Sequence, residues 1–317
     1  MAPSSPYRGR FAPSPSGRLH LGSALIAYGS YLCAQAHGGT FLIRIEDLDR
    51  PRCPPENTPV MLSELKQLGL ESAEPVLIQT QHESDYLEAI TKLPTAYRCN
   101  CTRALLKERP CPCQALHLKP AAHQAIRVDL STALAAHPYF VDGNFGTIYQ
   151  QDYQAELAPN LVLKRSDDII AYNLAVVVDD QRQGISEVVR GADLISATFL
   201  QLALYDLLGY RAPKFCHLPL VLEQHSGHKF SKQNHAPALL DLLTPLESLR
   251  LCLHLLQVIA EPTLITLVQE RLEKFRHSGQ VQAPPTSPHE VSELSALLSY
   301  AAARFDPAVL PRQALML

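Results

Sequence analysis

Residues 10–23 read Arg10-Phe11-Ala12-Pro13-Ser14-Pro15-Ser16-Gly17-Arg18-Leu19-His20-Leu21-Gly22-Ser23. A short strand, a turn of proline, serine and glycine, and the mouth of a helix follow one another here. Leu21, Leu25, Tyr28 and Leu32 recur at helical spacing and predict a helix over 21–36. Gly38 and Gly39 close it, because glycine accepts the left-handed backbone at a helix exit. A small-residue turn feeding a helix start presents unpaired N–H groups and the positive end of the helix dipole, which suits a phosphate. His20 and Gly22 stand at that mouth. Taken alone, the stretch is equally an ordinary strand–turn–helix corner.

Outward from it, strand-like and helix-like segments alternate. Thr40 to Ile45 is an apolar, partly β-branched run that predicts a buried strand, and Glu46-Asp47-Leu48-Asp49-Arg50 sets acidic groups at its carboxyl end. A helix is expected from Pro54-Pro55-Glu56 to Leu68, a short strand at 76–78 and a helix over 83–93. This alternation predicts an α/β fold with a parallel sheet, whose ligands bind beyond the carboxyl ends of the strands. The turn after Arg10 and the carboxylate of Glu46 both fall at such ends. Glu46 by itself is also readable as a solvated loop carboxylate or a partner of Arg44 or Arg50.

From Tyr97 the character changes. Cys99, Cys101, Cys111 and Cys113 form C-x-C-x9-C-x-C, four of the eight cysteines in the chain. Without a secretory leader, paired cysteines suggest a metal before a disulfide, and zinc takes four thiolates tetrahedrally. Such a site is closed and structural, with His117 as a reserve ligand; four reduced thiols or a redox pair is the alternative. Strands are expected at 126–129 and 139–142, with a turn at 142–146, then strands at 161–163, 185–190 and 217–222, with helices starting near Tyr172 and over 193–208. Beyond Ala236 the leucine spacing is helical throughout, with Pro284, Pro285 and Pro288 marking a linker. Tyr172 and Arg190 alone read as a packed aromatic and a surface cation.

Bulk properties narrow the class. A chain of 317 residues suits one large domain with an insertion, or two domains. The hydrophobic fraction of 46% and charged fraction of 19% are those of a soluble globular protein. No apolar run precedes the first motif, and the most apolar stretch, 169–178, is broken by Asn173 and bracketed by aspartates, so neither a signal peptide nor a membrane span is expected. A net charge of −3 gives no bulk signal for nucleic acid. A cytoplasmic protein without membrane contact is the expectation.

Arg10 to Ser23 resembles the "HIGH" signature of class I aminoacyl-tRNA synthetases in its glutamyl form, and His228-Lys229-Phe230-Ser231-Lys232 resembles the lysine-bearing "KMSKS" loop of the same class. Arg44-Ile45-Glu46-Asp47, the run from Lys164-Arg165 to Tyr172-Asn173, and Val189-Arg190-Gly191 extend the resemblance over about residues 7 to 235. Ser23 stands where the signature has its second histidine, and Phe230 replaces the usual methionine or leucine of the lysine loop. The cysteine pair and the short chain are similar to a truncated branch of the glutamyl-tRNA synthetase family that lacks an anticodon-binding domain. That branch commonly offers C-x-C, a tyrosine and a more distant cysteine, so Cys111 here stands in the tyrosine's place.

The resemblance implies a class I, Rossmann-like catalytic domain over 1–95 and 161–235, an inserted acceptor-type subdomain with the zinc site over 96–160, and a short helical region over 236–317. It implies a glutamate pocket of Arg10, Phe11, Ala12, Pro13, Ser14, Glu46, Tyr172 and Arg190. ATP would meet His20, Gly22, Lys229, Ser231 and Lys232, with His20 and Lys232 catalytic. Zinc on Cys99, Cys101, Cys111 and Cys113, ATP with Mg2+, L-glutamate and a monomeric chain complete the expectation. The implied reaction is glutamyl-adenylate formation without tRNA, then transfer to the queuosine base in the anticodon of tRNA(Asp). A truncated enzyme charging tRNA(Glu), a non-catalytic tRNA-binding paralogue and another adenylate-forming ligase are the alternatives.

Overall fold

The computed structural model describes residues 6–109, 111–222, 237–278 and 281–317. The first half holds β1 (Arg8–Phe11), α1 (Leu21–Ala36), β2 (Thr40–Ile45), α2 (Asn57–Gln67), β3 (Leu77–Ile78) and α3 (Glu83–Thr91). Next come β4 (Ala96–Cys99), α4 (Arg103–Glu108), α5 (Cys113–Leu116), β5 (Ala125–Asp129), α6 (Ser131–Ala135), β6 (Tyr139–Asp142), β7 (Gly146–Tyr149) and β8 (Asn160–Lys164). Then follow α7 (Tyr172–Arg182), β9 (Glu187–Gly191), α8 (Ile195–Leu208), β10 (Lys214–Leu218) and β11 (Val221–Leu222). The last part holds α9 (Leu239–Leu242), α10 (Pro245–Leu255), α11 (Thr263–Ser278), α12 (Pro288–Arg304) and β12 (Leu315–Met316).

Two sheets meet side by side at β1 and β9. One has the order β1-β2-β3, all parallel; the other runs β7-β6-β10-β9, with β6, β10 and β9 parallel. Beside β1, the N–H of Ser186 donates to Arg8 O at 2.9 Å, which brings β9 against it. From β1 the chain crosses through α1 to β2 on one side, and from β9 through α8 to β10 on the other. A crevice between strands leading in opposite directions is where open α/β sheets bind ligands.

Strand alternation sorts the side chains between two cores. Phe11, Phe41, Ile43, Ile45, Val189, Cys216 and Leu218 face the core that contains α1, α2 and the C-terminal helices. Leu42, Val188 and Phe215 face the other, filled by α3, α7 and α8. Arg10, Arg44, Arg190 and His217 stand two residues from members of that second set or pair with α7, so the three buried arginines and the histidine share the α7–α8 face. Gly29 lets α1 lie close on β10, since a Cβ there would meet Leu218.

Some sequence expectations are corrected. The hairpin of β6 and β7 joins the sheet of β9 and β10, whereas β8 pairs with β5 in the three-stranded antiparallel sheet β4-β5-β8. The single strand expected over 217–222 is two, because Pro219 lacks the N–H a ladder needs. Pro288 opens α12 at its first turn behind the Ser287–Glu290 capping box instead of continuing the linker. No helix among the described residues is long and apolar enough to cross a membrane.

Candidate active site

A cavity of about 660 Å³ opens at the carboxyl ends of β1, β2, β9 and β10. Arg10, Phe11, Ala12, Pro13, Ser14, His20, Gly22, Glu46, Tyr172 and Arg190 all line it, so every residue the sequence assigned to the two ligands within the described chain meets in one place. Lys229, Ser231 and Lys232 lie outside the described residues. The sequence did not single out Ser16, Arg52, Met61, Asp193 or Pro219 to Val221, which also contribute to the wall.

His20 is the N-cap of α1, and its Nδ1 accepts the N–H of Ser23 at 3.2 Å. An accepting Nδ1 leaves the ring proton on Nε2, which is 2.9 Å from Ser23 Oγ. The serine in the second-histidine position thus braces the first histidine at the helix mouth. The start of α1 carries no acidic residue in its first turn, so nothing there competes with an anion for the dipole.

Beneath the Arg10 side of the cavity lies a buried ionic cluster. Arg10 donates to both oxygens of Asp180, from Nε at 3.0 Å and from Nη2 at 3.5 Å, and Arg44 donates to the same carboxylate at 2.7 Å. Burial works against the charge of Asp180, yet the two arginines hold its carboxyl below the usual value. Asp179 is held by Gln79 at 2.7 Å and by the hydroxyl of Tyr86. Arg44 Nε also lies 3.7 Å from Glu46. Burial dominates at Glu46 and pushes it up to about 7 against the pull of Arg44 and Arg10. Glu46 is therefore buried at the cavity wall beside Arg44 and is not a solvated loop carboxylate.

Arg190 differs in kind. It is buried, and its donors meet only neutral acceptors: His217 Nε2 at 3.1 Å, Gln201 Oε1 at 2.7 Å, Thr198 Oγ1 at 2.7 Å and Leu194 O at 3.3 Å. Among the described residues no carboxylate forms an ion pair with it. Its guanidinium lies 5.1 Å from the Phe215 ring centroid, and burial lowers its pKa from the ordinary value. Such a cation facing a cavity favours an anionic ligand. Gln201 is braced in turn by Asn173 at 2.9 Å. Tyr172, first residue of α7, is 39% exposed at the cavity wall, so it is not the packed core aromatic that its type alone suggested.

Remote from the cavity, Cys99, Cys101, Cys111 and Cys113 converge with all ligand atoms within 4.8 Å of one another. Sulfur separations of 3.5, 3.8 and 3.6 Å join Cys99 to Cys111, Cys111 to Cys101 and Cys101 to Cys113. A tetrahedron with metal–sulfur bonds of ~2.3 Å has edges of about 3.8 Å, whereas a disulfide needs ~2.05 Å. The donor set fits a tetrahedral thiolate site. Cys111 belongs to it, and exposed His117, which ends α5 in a left-handed conformation, does not.

Comparison with known proteins joins these features. Residues 7–130 and 136–253 match the family described as tRNA synthetases class I (E and Q), catalytic domain. A glutamyl-Q tRNA(Asp) synthetase of Escherichia coli O157:H7 is 45% identical over 242 residues, 74% of this chain and 76% of that protein. One from Idiomarina loihiensis is 42% identical over 242 residues and is covered to 82% of its length. The chain belongs to the glutamyl-Q tRNA(Asp) synthetase family. The crystal structure of a glutamate tRNA ligase from Elizabethkingia meningosepticum in complex with its amino acid has the same fold, with a TM-score of 0.70 at 20% identity. That likeness covers 98% of this chain and 67% of the ligase. In this member of the glutamyl-Q family the matched segments contain the described cavity wall, and the gap between them falls on α6. The class I synthetase reaction uses ATP.

Proposed function

We propose that the protein activates L-glutamate with ATP and transfers the glutamyl group to the queuosine base in the anticodon of tRNA(Asp). The observation that carries this reading is one cavity holding Arg190 without an acid partner, Glu46 as a carboxylate, and the braced histidine at a helix N-terminus. Glutamate brings two carboxylates and one ammonium. Arg10 and Arg190 attract the carboxylates, Arg190 through the N–H on Nη1 that its bonds to His217, Gln201, Thr198 and Leu194 leave over, while Glu46 pairs the ammonium and Tyr172 donates to a ligand oxygen. The α-carboxylate attacks the α-phosphorus of ATP, the bond to the bridging oxygen breaks, and pyrophosphate leaves. Positioning and charge stabilisation carry this step without a protein nucleophile. His20 and Gly22 bind on the nucleotide side, joined by Lys229, Ser231 and Lys232, with Mg2+ accompanying the triphosphate. Zinc on the four cysteines has a structural role only, since four thiolates leave no open position. The relatives' named substrate supports the choice of acceptor.

The test is glutamate-dependent pyrophosphate exchange without tRNA, followed by labelled glutamate offered to queuosine-containing tRNA(Asp) and to tRNA(Glu). Exchange without tRNA and label on tRNA(Asp) alone are expected. Label on the end of tRNA(Glu) would replace this reading with that of a truncated charging enzyme, and no exchange at all would end it.

Glu46 makes a pH prediction. Below about 7 it holds a proton, so binding an ammonium must first expel it. The KM for glutamate should rise on the order of tenfold per pH unit as pH falls below that value. Stability runs the other way. A carboxyl whose folded pKa is raised contributes at low pH and loses that contribution as pH rises through about 7. Glutamate binding compensates the charge, so thermal stabilisation by glutamate should grow from pH 6 to 8. A Glu46→Gln variant in which both trends persist would refute the assignment.

A further inference from the structure

His217 and Asp142 stand behind Arg190, away from any position the family motifs named. Both are buried, His217 completely. Asp142 Oδ2 lies 2.6 Å from His217 Nδ1. The other oxygen, Oδ1, takes the N–H groups of Asn144 and Phe145, each at 2.9 Å. The backbone N–H of His217 reaches the same carboxylate at 3.1 Å. On the far side of the ring, Nε2 is 3.1 Å from Arg190 Nε.

Arginine can only donate, so His217 Nε2 must accept, and the ring proton must sit on Nδ1 facing Asp142. The order is carboxylate, neutral imidazole, guanidinium. An acid in direct contact would have cancelled the cation; an acid one ring away orients it and leaves its charge for the ligand. Burial keeps His217 unprotonated against the pull of Asp142, and Asp142 stays ionised because its hydrogen bonds outweigh burial.

We propose that Asp142 and His217 are positioning residues that hold Arg190 as an uncompensated cation at the amino-acid end of the cavity, and so set the preference for an anionic side chain. This rests on the proposed glutamate pocket. The geometry asks two things of the ring: an acceptor at Nε2 and a donor at Nδ1. Glutamine at position 217 reproduces the first atom; asparagine reproduces only the second.

The experiment is pyrophosphate exchange with wild type, His217→Asn and His217→Gln, recording KM for glutamate and for ATP separately. Exchange by the wild type tests the glutamate reading; the contrast between the two variants tests this inference. His217→Asn should raise the glutamate KM by at least about tenfold, the size of one hydrogen bond to a charged group, with the ATP KM moved less than about threefold. His217→Gln should recover most of that loss. Equal losses in both variants, or ATP and glutamate KM rising together, would overturn the proposal in favour of simple packing. Should His217→Asn fail to fold, 15N NMR of the wild type decides, with the His217 signal assigned by its disappearance in His217→Gln. A ring protonated on Nδ1 supports the proposal, and one protonated on Nε2 defeats it.

Discussion

Replacing Arg190 with alanine is expected to raise the KM for glutamate by at least a hundredfold, on the scale of ~3–5 kcal/mol for removing one side of a buried charge pair. The site makes this an unusually clean variant. Arg190 touches His217, Gln201, Thr198 and the carbonyl of Leu194, all neutral, so its loss breaks no direct ion pair among the described residues. The contrast is Arg10, whose removal leaves Asp180 with Arg44 as its remaining ion partner and mixes a folding defect into the kinetics. Arg190→Lys should recover little, since a single ammonium cannot serve His217, Gln201, Thr198 and a ligand carboxylate together. Steady-state exchange at saturating ATP, with the melting temperature as control, checks the prediction. An unchanged glutamate KM in a folded variant would remove Arg190 from the pocket.

The second large effect concerns the four thiols. The core at that end consists of Cys99, Cys113 and Ala125, with Tyr97, Cys101, Cys111 and Leu118 packed beside it. So few apolar groups cannot order this segment alone, and small units of this kind depend on a metal or a disulfide. Structural zinc sites reach apparent binding energies of ~10–16 kcal/mol in peptides, so the metal would dominate local folding. The expected result is one zinc per chain by mass spectrometry, lost in a Cys99→Ser, Cys113→Ser double variant. Amide exchange over 99–125 should then rise toward that of an unfolded chain, while α1 stays protected. Full protection of that segment in metal-free protein would contradict the structural role.

The parts of the site that were legible in sequence were those carried by neighbouring residues. The turn after Arg10, the start of α1 and the carboxylate after β2 each lie within one local motif, and local geometry sufficed to point them at one end of the sheet. The buried partners were not legible, because each belongs to a different element. Asp180 had served only as a charge bracketing an apolar run, Asp142 only as the start of a turn, and His217 only as the first residue of a strand. Their roles appear once β6 pairs beside β10 and α7 lies across β1 and β2. The strand at 139–142 and the turn at 142–146 were legible, but not β7 beyond them nor the sheet they join, since nothing within that stretch tells which strand will pair beside it. Tyr172 was placed correctly at the start of its helix, yet its exposure depends on the cavity it borders.

The pairing of β12 with β11 gives the C-terminal region a mechanical part. Leu315 and Leu317 donate to Leu220 and Leu222, and Asn144 reaches across to the carbonyl of Pro311. Helices α10 and α12 meanwhile rest on α1, whose first turn forms the opposite rim. The region therefore ties the Leu220–Leu222 rim to the helices packed on α1. Cutting the chain within 306–314 should loosen Leu220 and Val221 at the rim without disturbing the sheet beneath, so the damage would register as slack in the doorway of an otherwise sound house.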